Sequence, residues 1–213
     1  MIEARAEPVR LVTFIEVRSD SVARATTLLQ KYSEALHARD SPPEVELLHE
    51  IDRPRHFVLL ESAQRPELLI EAQARGQAML QALGPLLTAP LDRRIHRPFA
   101  SACPSAGLAS TAAPREGGAI MVVAHLDIAG GADRAGREAA LERLAREACQ
   151  SSGNQGFEVL QQTNRSNHFD LIARWRSRHD LDAFAASAAA RAFREAVGPW
   201  LGSPYDERLY HRD

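Results

Sequence analysis

Cysteine is almost missing from this sequence: two residues in 213, Cys103 and Cys149. Cys103 falls in a stretch of linker composition and Cys149 inside a helical pattern. So few, so far apart, they read as free thiols in a reducing cytosol rather than as a disulfide framework. Neither has a second Cys or a paired His at ligand spacing, so no metal site is expected. Charge of one sign is missing too. The 26 basic and 28 acidic residues are interspersed and leave a net charge of -2, which argues against a nucleic-acid groove. No stretch approaches the ~20 apolar residues of a membrane span. The opening Met1-Ile-Glu-Ala-Arg-Ala-Glu-Pro8 lacks the apolar core of a secretory signal. The expected location is the cytoplasm, with neither nucleic acid nor membrane as a partner.

What the chain does have is repetition. Glu46-Leu-Leu-His-Glu-Ile-Asp-Arg-Pro-Arg-His-Phe57 lies on Glu158-Val-Leu-Gln-Gln-Thr-Asn-Arg-Ser-Asn-His-Phe169 without a gap, at an offset of 112. Glu46/Glu158, Leu48/Leu160, Arg53/Arg165, His56/His168 and Phe57/Phe169 are identical. After a slip of two residues, Gly84-Pro85 meets Gly198-Pro199, and Asp92-Arg-Arg-Ile95 meets Asp206-Glu-Arg-Leu209. A repeat of about a hundred residues is too long for a solenoid unit and suits a duplicated small domain. Between the copies, residues 100–118 are small, polar and broken by Pro and Gly, as a linker is. The domains are accordingly 9–99 and 119–213.

Each half reads in one order. A β-branched apolar run opens it, Leu11–Val17 or Ile120–Ile128. A helical pattern follows, with Ala25, Leu28, Leu29, Tyr32 and Leu36, or Leu141, Leu144, Ala145 and Ala148, at three- and four-residue spacing. Two short strands come next, Glu46–Ile51 with Phe57–Glu61, or Phe157–Thr163 with Phe169–Trp175, joined by Asx-rich turns. A second helix is expected over Pro66–Leu83 or Asp180–Val197, stopped by Gly-Pro. A last strand, Arg93–Arg97 or Glu207–His211, closes the half. The order β-α-β-β-α-β, twice, is the ferredoxin-like arrangement. The expected fold class is α+β: two ferredoxin-like domains packed sheet to sheet as an intrachain pseudo-dimeric α+β barrel, since each sheet's bare face needs cover.

In strand order, in the His-Phe start of each third strand, and in that strand's run towards acid-x-Trp, the chain resembles the antibiotic-biosynthesis monooxygenase domains of the dimeric α+β barrel superfamily. The resemblance spans roughly 9–99 and 119–211. The ending is split between the copies: half one has Glu61 and Ala63, half two Ala173 and Trp175. Members of the family usually pair as separate chains; fusion here supplies the partner covalently. Further self-association of the pseudo-dimer stays open. The resemblance also implies that the strand at Arg93–Arg97 reaches against half two.

The chemistry candidates follow from these placements. Phe169, Leu171, Ala173 and Trp175 share one strand face, and with Phe184 and Phe193 they would line an apolar pocket. By resemblance, Trp175 and Arg194 hold a polyaromatic phenol that is oxidised without metal or flavin. Trp175 also fits the plain role of a core aromatic, and Arg194 that of a solvated helix residue. His125, on the first strand of half two where half one has Phe14, could serve as base or anchor, its ordinary pKa lying near neutrality. A hydrogen-bonded strand histidine is the other reading. His56 and His168 more simply fasten their turns to the sheet. A second chemistry in the family, haem degradation, finds Ala124 or His125, Phe184 and Arg194 where it needs Asn, Trp and a ligand His, and so lacks its axial ligand. Half one, with Ala63 and no aromatic beside Gln73, Arg75, Gly76 and Gln77, reads as structural cover.

The expected function is a cofactor-independent monooxygenase that takes an aromatic phenol or hydroquinone to a quinone. The catalytic set is His125, Trp175 and Arg194, with Phe169, Leu171 and Phe184 lining the pocket. The alternatives are a non-catalytic protein that binds a small ligand and a stress-related α+β barrel protein whose sheet pairing is its purpose.

Overall fold

The structure is a computed structural model, and it describes residues 8–37, 44–64, 66–103, 119–129 and 133–212. The chain divides into two units, one running to Arg97 and one from Pro98 to His211. In the first lie β1 (Val9–Glu16), α1 (Val22–His37), β2 (Glu44–Glu50), β3 (His56–Ala63), α2 (Pro66–Arg75), α3 (Gln77–Leu83) and the start of β4 (Asp92–Cys103). In the second lie β5 (Ile120–Asp127), α4 (Arg134–Gln150), β6 (Asn154–Gln162), β7 (His168–Trp175), α5 (Arg178–Ala185), α6 (Ala188–Val197) and β8 (Asp206–Arg212). Both sheets are antiparallel. Their strand orders are β4-β1-β3-β2 and β8-β5-β7-β6. The class is α+β, and both halves are ferredoxin-like.

Strand alternation decides what each unit buries. On β7, Phe169, Leu171, Ala173 and Trp175 enter one core cluster with Leu141, Leu144, Ala145 and Ala148 of α4. The intervening Asp170, Ile172 and Arg174 point to the other face. In the first unit Phe57 and Leu59 of β3 join Leu29, Tyr32 and Leu36 of α1 in the same way. Each large apolar side chain so buried contributes roughly 1.5–3 kcal/mol.

Both second helices are broken where continuous ones were expected. In the first unit the break is at Gly76, which presses on Tyr32: a Cβ there would lie 2.4 Å from the Tyr32 ring. In the second unit Ser187 ends the run, its hydroxyl accepting from the amide of Ala190 at 3.1 Å and so starting a new helix. Further back, Gly153 holds φ at 81° and backs onto Asp180, where a Cβ would meet the carboxylate carbon at 2.2 Å. Asp180 in turn takes the Ser177 hydroxyl at 2.6 Å and the Arg176 guanidinium at 2.9 Å. Those two groups, Ser177 first, hold its carboxyl below the usual range. The start of β6 and the start of α5 are thus fixed to one side chain.

The end of β4 corrects two further expectations, the start of the linker and the state of the cysteines. Arg93–His96 pairs with β1 inside the first unit, and it is the continuation, Pro98–Cys103, that belongs to the second. There Phe99, Ala100 and Cys103 pack on the core cluster of that unit. β4 therefore consumes the first residues of the expected linker; residues 104–118 lie outside the described residues. The longer strand also corrects the reading of two free thiols. It carries Cys103 to the last turn of α4, where it is disulfide-bonded to Cys149 with the Cα atoms 5.6 Å apart. The inference of a reducing compartment rested on those thiols and loses that support. Among the described residues, no helix is long and apolar enough to cross a membrane.

Candidate active site

In the second unit the helices do not close fully on the sheet. A pocket of about 40 Å3, open to solvent at its mouth, lies between β5, β6 and β7 on one side and α4, α5 and α6 on the other. Its walls are apolar. Trp175, 1% exposed, stacks on Phe184 with ring centroids 5.0 Å apart, and Phe157, Leu171 and Phe193 complete that side. Small residues make the space: Ala124 on β5, Ala173 on β7 and Ala190 on α6.

Among the described residues, polar side chains enter from Arg194, Tyr205 and Glu207. Arg194 is exposed on α6, yet its guanidinium is anchored, donating to the Ala185 carbonyl at the end of α5 at 2.8 Å. A cation suits that position because the last carbonyls of a helix carry partial negative charge. Tyr205 donates its hydroxyl to Glu207 at 3.0 Å. Burial, and then the neighbouring Glu207, pushes the Tyr205 phenol well above its ordinary value. Tyr205 therefore stays protonated and acts as a donor.

Of the residues singled out from sequence, Trp175, Arg194, Leu171 and Phe184 meet at this pocket. Phe169 belongs to the same core cluster but does not line the pocket; it packs edge-on against Phe99 with centroids 5.3 Å apart. His125 is elsewhere. Strand alternation turns it to the opposite face of the sheet, away from Ala124. There its Nδ1 meets Asp170 Oδ1 at 2.7 Å and its Nε2 meets His168 Nδ1 at 3.3 Å. His168 reaches Asp127 on β5 at 3.3 Å, and His56 lies between Glu16 and Glu50 at 3.7 and 3.4 Å. Both histidines thus tie a hairpin exit to neighbouring strands. Among the described residues no His, Cys or Met lines the pocket, so the residues there do not fit haem ligation. Among the described residues, no group of three or more His, Cys, Asp or Glu is placed to hold a metal ion.

Sequence reasoning missed Tyr205 and Glu207. The signal was in the repeat: Asp92 and Arg94 recur as Asp206 and Arg208, but the residue between them changes from Arg93 to Glu207.

In half one the corresponding positions carry a buried polar pair. At the offset of 112, Tyr32 stands for Leu144 and Glu61 for Ala173. The Tyr32 hydroxyl donates to Glu61 Oε1 at 2.8 Å, and both residues are buried, at 7% and 1% exposed. Burial raises the Glu61 carboxyl above its usual range although Tyr32 and Arg93 pull the other way. Burial, followed by Glu61, also raises the Tyr32 phenol.

A raised folded-state carboxyl stabilises the fold fully only below the unfolded value. That stability is lost as pH rises through the folded value, because the unfolded chain then sheds the proton more readily. Urea unfolding of Glu61→Gln and the parent at pH 4, 5.5 and 7 should therefore show the variant gaining relative stability with pH. The gain is about 1.4 kcal/mol for each pH unit by which the native carboxyl is raised. A difference independent of pH would mean that Glu61 ionises normally.

Comparison with known proteins agrees with this architecture. Residues 119–196 match the model of the family described as antibiotic biosynthesis monooxygenase. No curated protein matches the chain. Among solved structures, a proposed monooxygenase of Fusobacterium nucleatum superposes with a TM-score of 0.77 at 7% identity, covering 97% of this chain and 93% of that one. A proposed monooxygenase of Lactobacillus acidophilus gives 0.71 at 10% identity, covering 97% and 94%. An anthrone oxidase-like protein gives 0.69 at 13% identity, covering 100% and 94%. Likeness at such low identity speaks for the fold. Residues 119–196 thus match the antibiotic biosynthesis monooxygenase family, and the whole chain shares the fold of these solved structures.

Proposed function

We propose that the second half is a cofactor-independent monooxygenase that oxidises an aromatic phenol or hydroquinone to a quinone. The observation that carries this reading is the pocket's polarity: an aromatic interior around Trp175 and Phe184, with charge admitted only through Arg194 and Glu207. Such a lining suits the flat apolar face of a ring system and leaves its hydroxyl among the polar groups; at about 40 Å3 the cleft must widen to admit the ring whole. The likeness in fold to an anthrone oxidase-like protein points the same way.

The chemistry balances with molecular oxygen as the only co-reactant. A phenol with a free para carbon, plus O2, gives the quinone and one water, and a hydroquinone with a free ring carbon, plus O2, gives the hydroxyquinone and one water; in both the substrate supplies all four electrons that reduce O2. One oxygen atom enters the ring carbon and the other leaves as water. An electron-rich phenolate can reduce oxygen directly, so the protein must ionise, desolvate and orient it. A phenolate inside an apolar cleft feels a nearby guanidinium far more strongly than it would in water.

Ligand binding without turnover is the rival reading, and the position of His125 on the opposite sheet face favours it, because the anticipated base is not in the pocket. Oxygen uptake by metal-free protein on a panel of anthrones and hydroquinones separates the two. The expected result is one O2 consumed per substrate, with kcat at least about tenfold lower in Trp175→Phe, equivalent to about 1.4 kcal/mol of barrier. Uptake that is absent, or equal in both proteins, removes the proposal.

A further inference from the structure

The pocket holds a carboxylate that the reaction needs and that the resemblance did not supply. We infer that Glu207, positioned by Tyr205, is the group that takes the substrate's hydroxyl proton, while Arg194 receives the resulting oxyanion. This rests on the oxidase reading above and deepens it.

The register of the sheet aims the side chain. Glu207 pairs directly with Ala124 across β5 and β8, and directly opposed residues project to the same side of an antiparallel sheet. Ala124 faces the pocket with its small side chain, so Glu207 does as well, and Tyr205, two residues earlier, joins it there. Among the described residues, Glu207 is the only carboxylate in the lining, which contains no histidine. Tyr205 fixes one carboxylate oxygen, Oε2, at 3.0 Å and leaves Oε1 to accept. Tyr205 cannot serve as the base itself, since its phenol stays protonated. In the step, the substrate O–H breaks, the proton passes to Glu207, and the electron pair stays on the aryloxide beside the Arg194 guanidinium. That cation stands at the same pocket and also acts on the Tyr205 phenol.

Half one has the opposite arrangement. Arg93 occupies the position of Glu207, and the carboxylate, Glu61, is buried against Tyr32 where no substrate can reach it. In half two the carboxylate stands at the pocket instead.

Oxygen uptake with an anthrone, which reacts through its phenolic anthranol tautomer, decides the matter. Glu207→Gln should lower kcat by roughly 10²–10⁴-fold, the usual range for a lost general base, with KM changed less than about threefold. Because the side chain is exposed, the melting temperature should not move. Tyr205→Phe should lower kcat about tenfold, since it frees the carboxylate without removing it. The decisive readout is rescue: added formate should restore uptake in Glu207→Ala, in proportion to its concentration, and do nothing for the parent. Parent-like turnover in Glu207→Gln overturns the inference and leaves the pocket reading standing, and so does a loss in Glu207→Ala that formate cannot restore. A parent protein that takes up no oxygen with any anthrone overturns the oxidase reading, and this inference falls with it.

Discussion

Opening the Cys103–Cys149 disulfide should lower the stability of the protein by about 4 kcal/mol. The bond joins residues 46 apart, and the chain-entropy treatment assigns a loop of that length about 4 kcal/mol of restriction in the unfolded state. For a chain of this size each kcal/mol shifts the melting temperature by roughly 2–4 °C, so a fall of roughly 8–16 °C is expected on reduction. The bond also has a local task. Cys103 is the last residue of β4 and Cys149 sits in the final turn of α4. Between them they hold Phe99 and Ala100 on the cluster that contains Trp175. Thermal unfolding with and without a phosphine reductant, for the parent and for Cys103→Ala/Cys149→Ala, gives the test. Reductant should destabilise the parent down to the level of the double variant and leave the latter unmoved. Identical melting curves under all conditions would mean that the thiols are free in solution.

The fold was readable because duplication let each half check the other. A single apolar run such as Leu11–Val17 is ambiguous, but the same order of runs in two copies is not. What the sequence concealed was where elements stop. The breaks at Gly76 and Ser187 come from a tyrosine on another helix and from a serine that prefers to cap rather than continue. Neither leaves a mark in periodicity. The disulfide was missed because linker composition set the end of β4 too early, and sequence separation says nothing about proximity once a strand runs on. Part of the site was legible: strand alternation placed Leu171 and Trp175 on the pocket face, and helix position brought Phe184 and Arg194 to them. The same alternation, applied to β5, would have turned His125 away from that face, since Ala124 beside it lines the pocket. Tyr205 and Glu207 sit on a loop and a short closing strand, where hydrophobic pattern is weakest; only the Arg93/Glu207 reversal betrayed them.

Trp175 and Phe169 should separate stability from function although they lie on the same face of the same strand. They are 1% and 4% exposed and belong to one core cluster, so truncation of either to Ala leaves a comparable void and costs about 3–5 kcal/mol. Trp175 is thus a core aromatic and a pocket wall at once, two readings that the sequence set against each other. Only Trp175 faces the open space. A hydroxyanthraquinone, chosen as a stable mimic of the product, should bind at least about tenfold more weakly to Trp175→Ala, which loses the stacked surface offered with Phe184. Its affinity for Phe169→Ala should stay within about threefold of the parent, because the void opens towards Phe99 and the ligand's wall is kept. Equal stability losses with unequal affinities cannot come from general loosening of the domain, which would weaken both variants alike. If both lose affinity together, the pocket is not a preformed site, and the aromatic face of β7 serves the core alone.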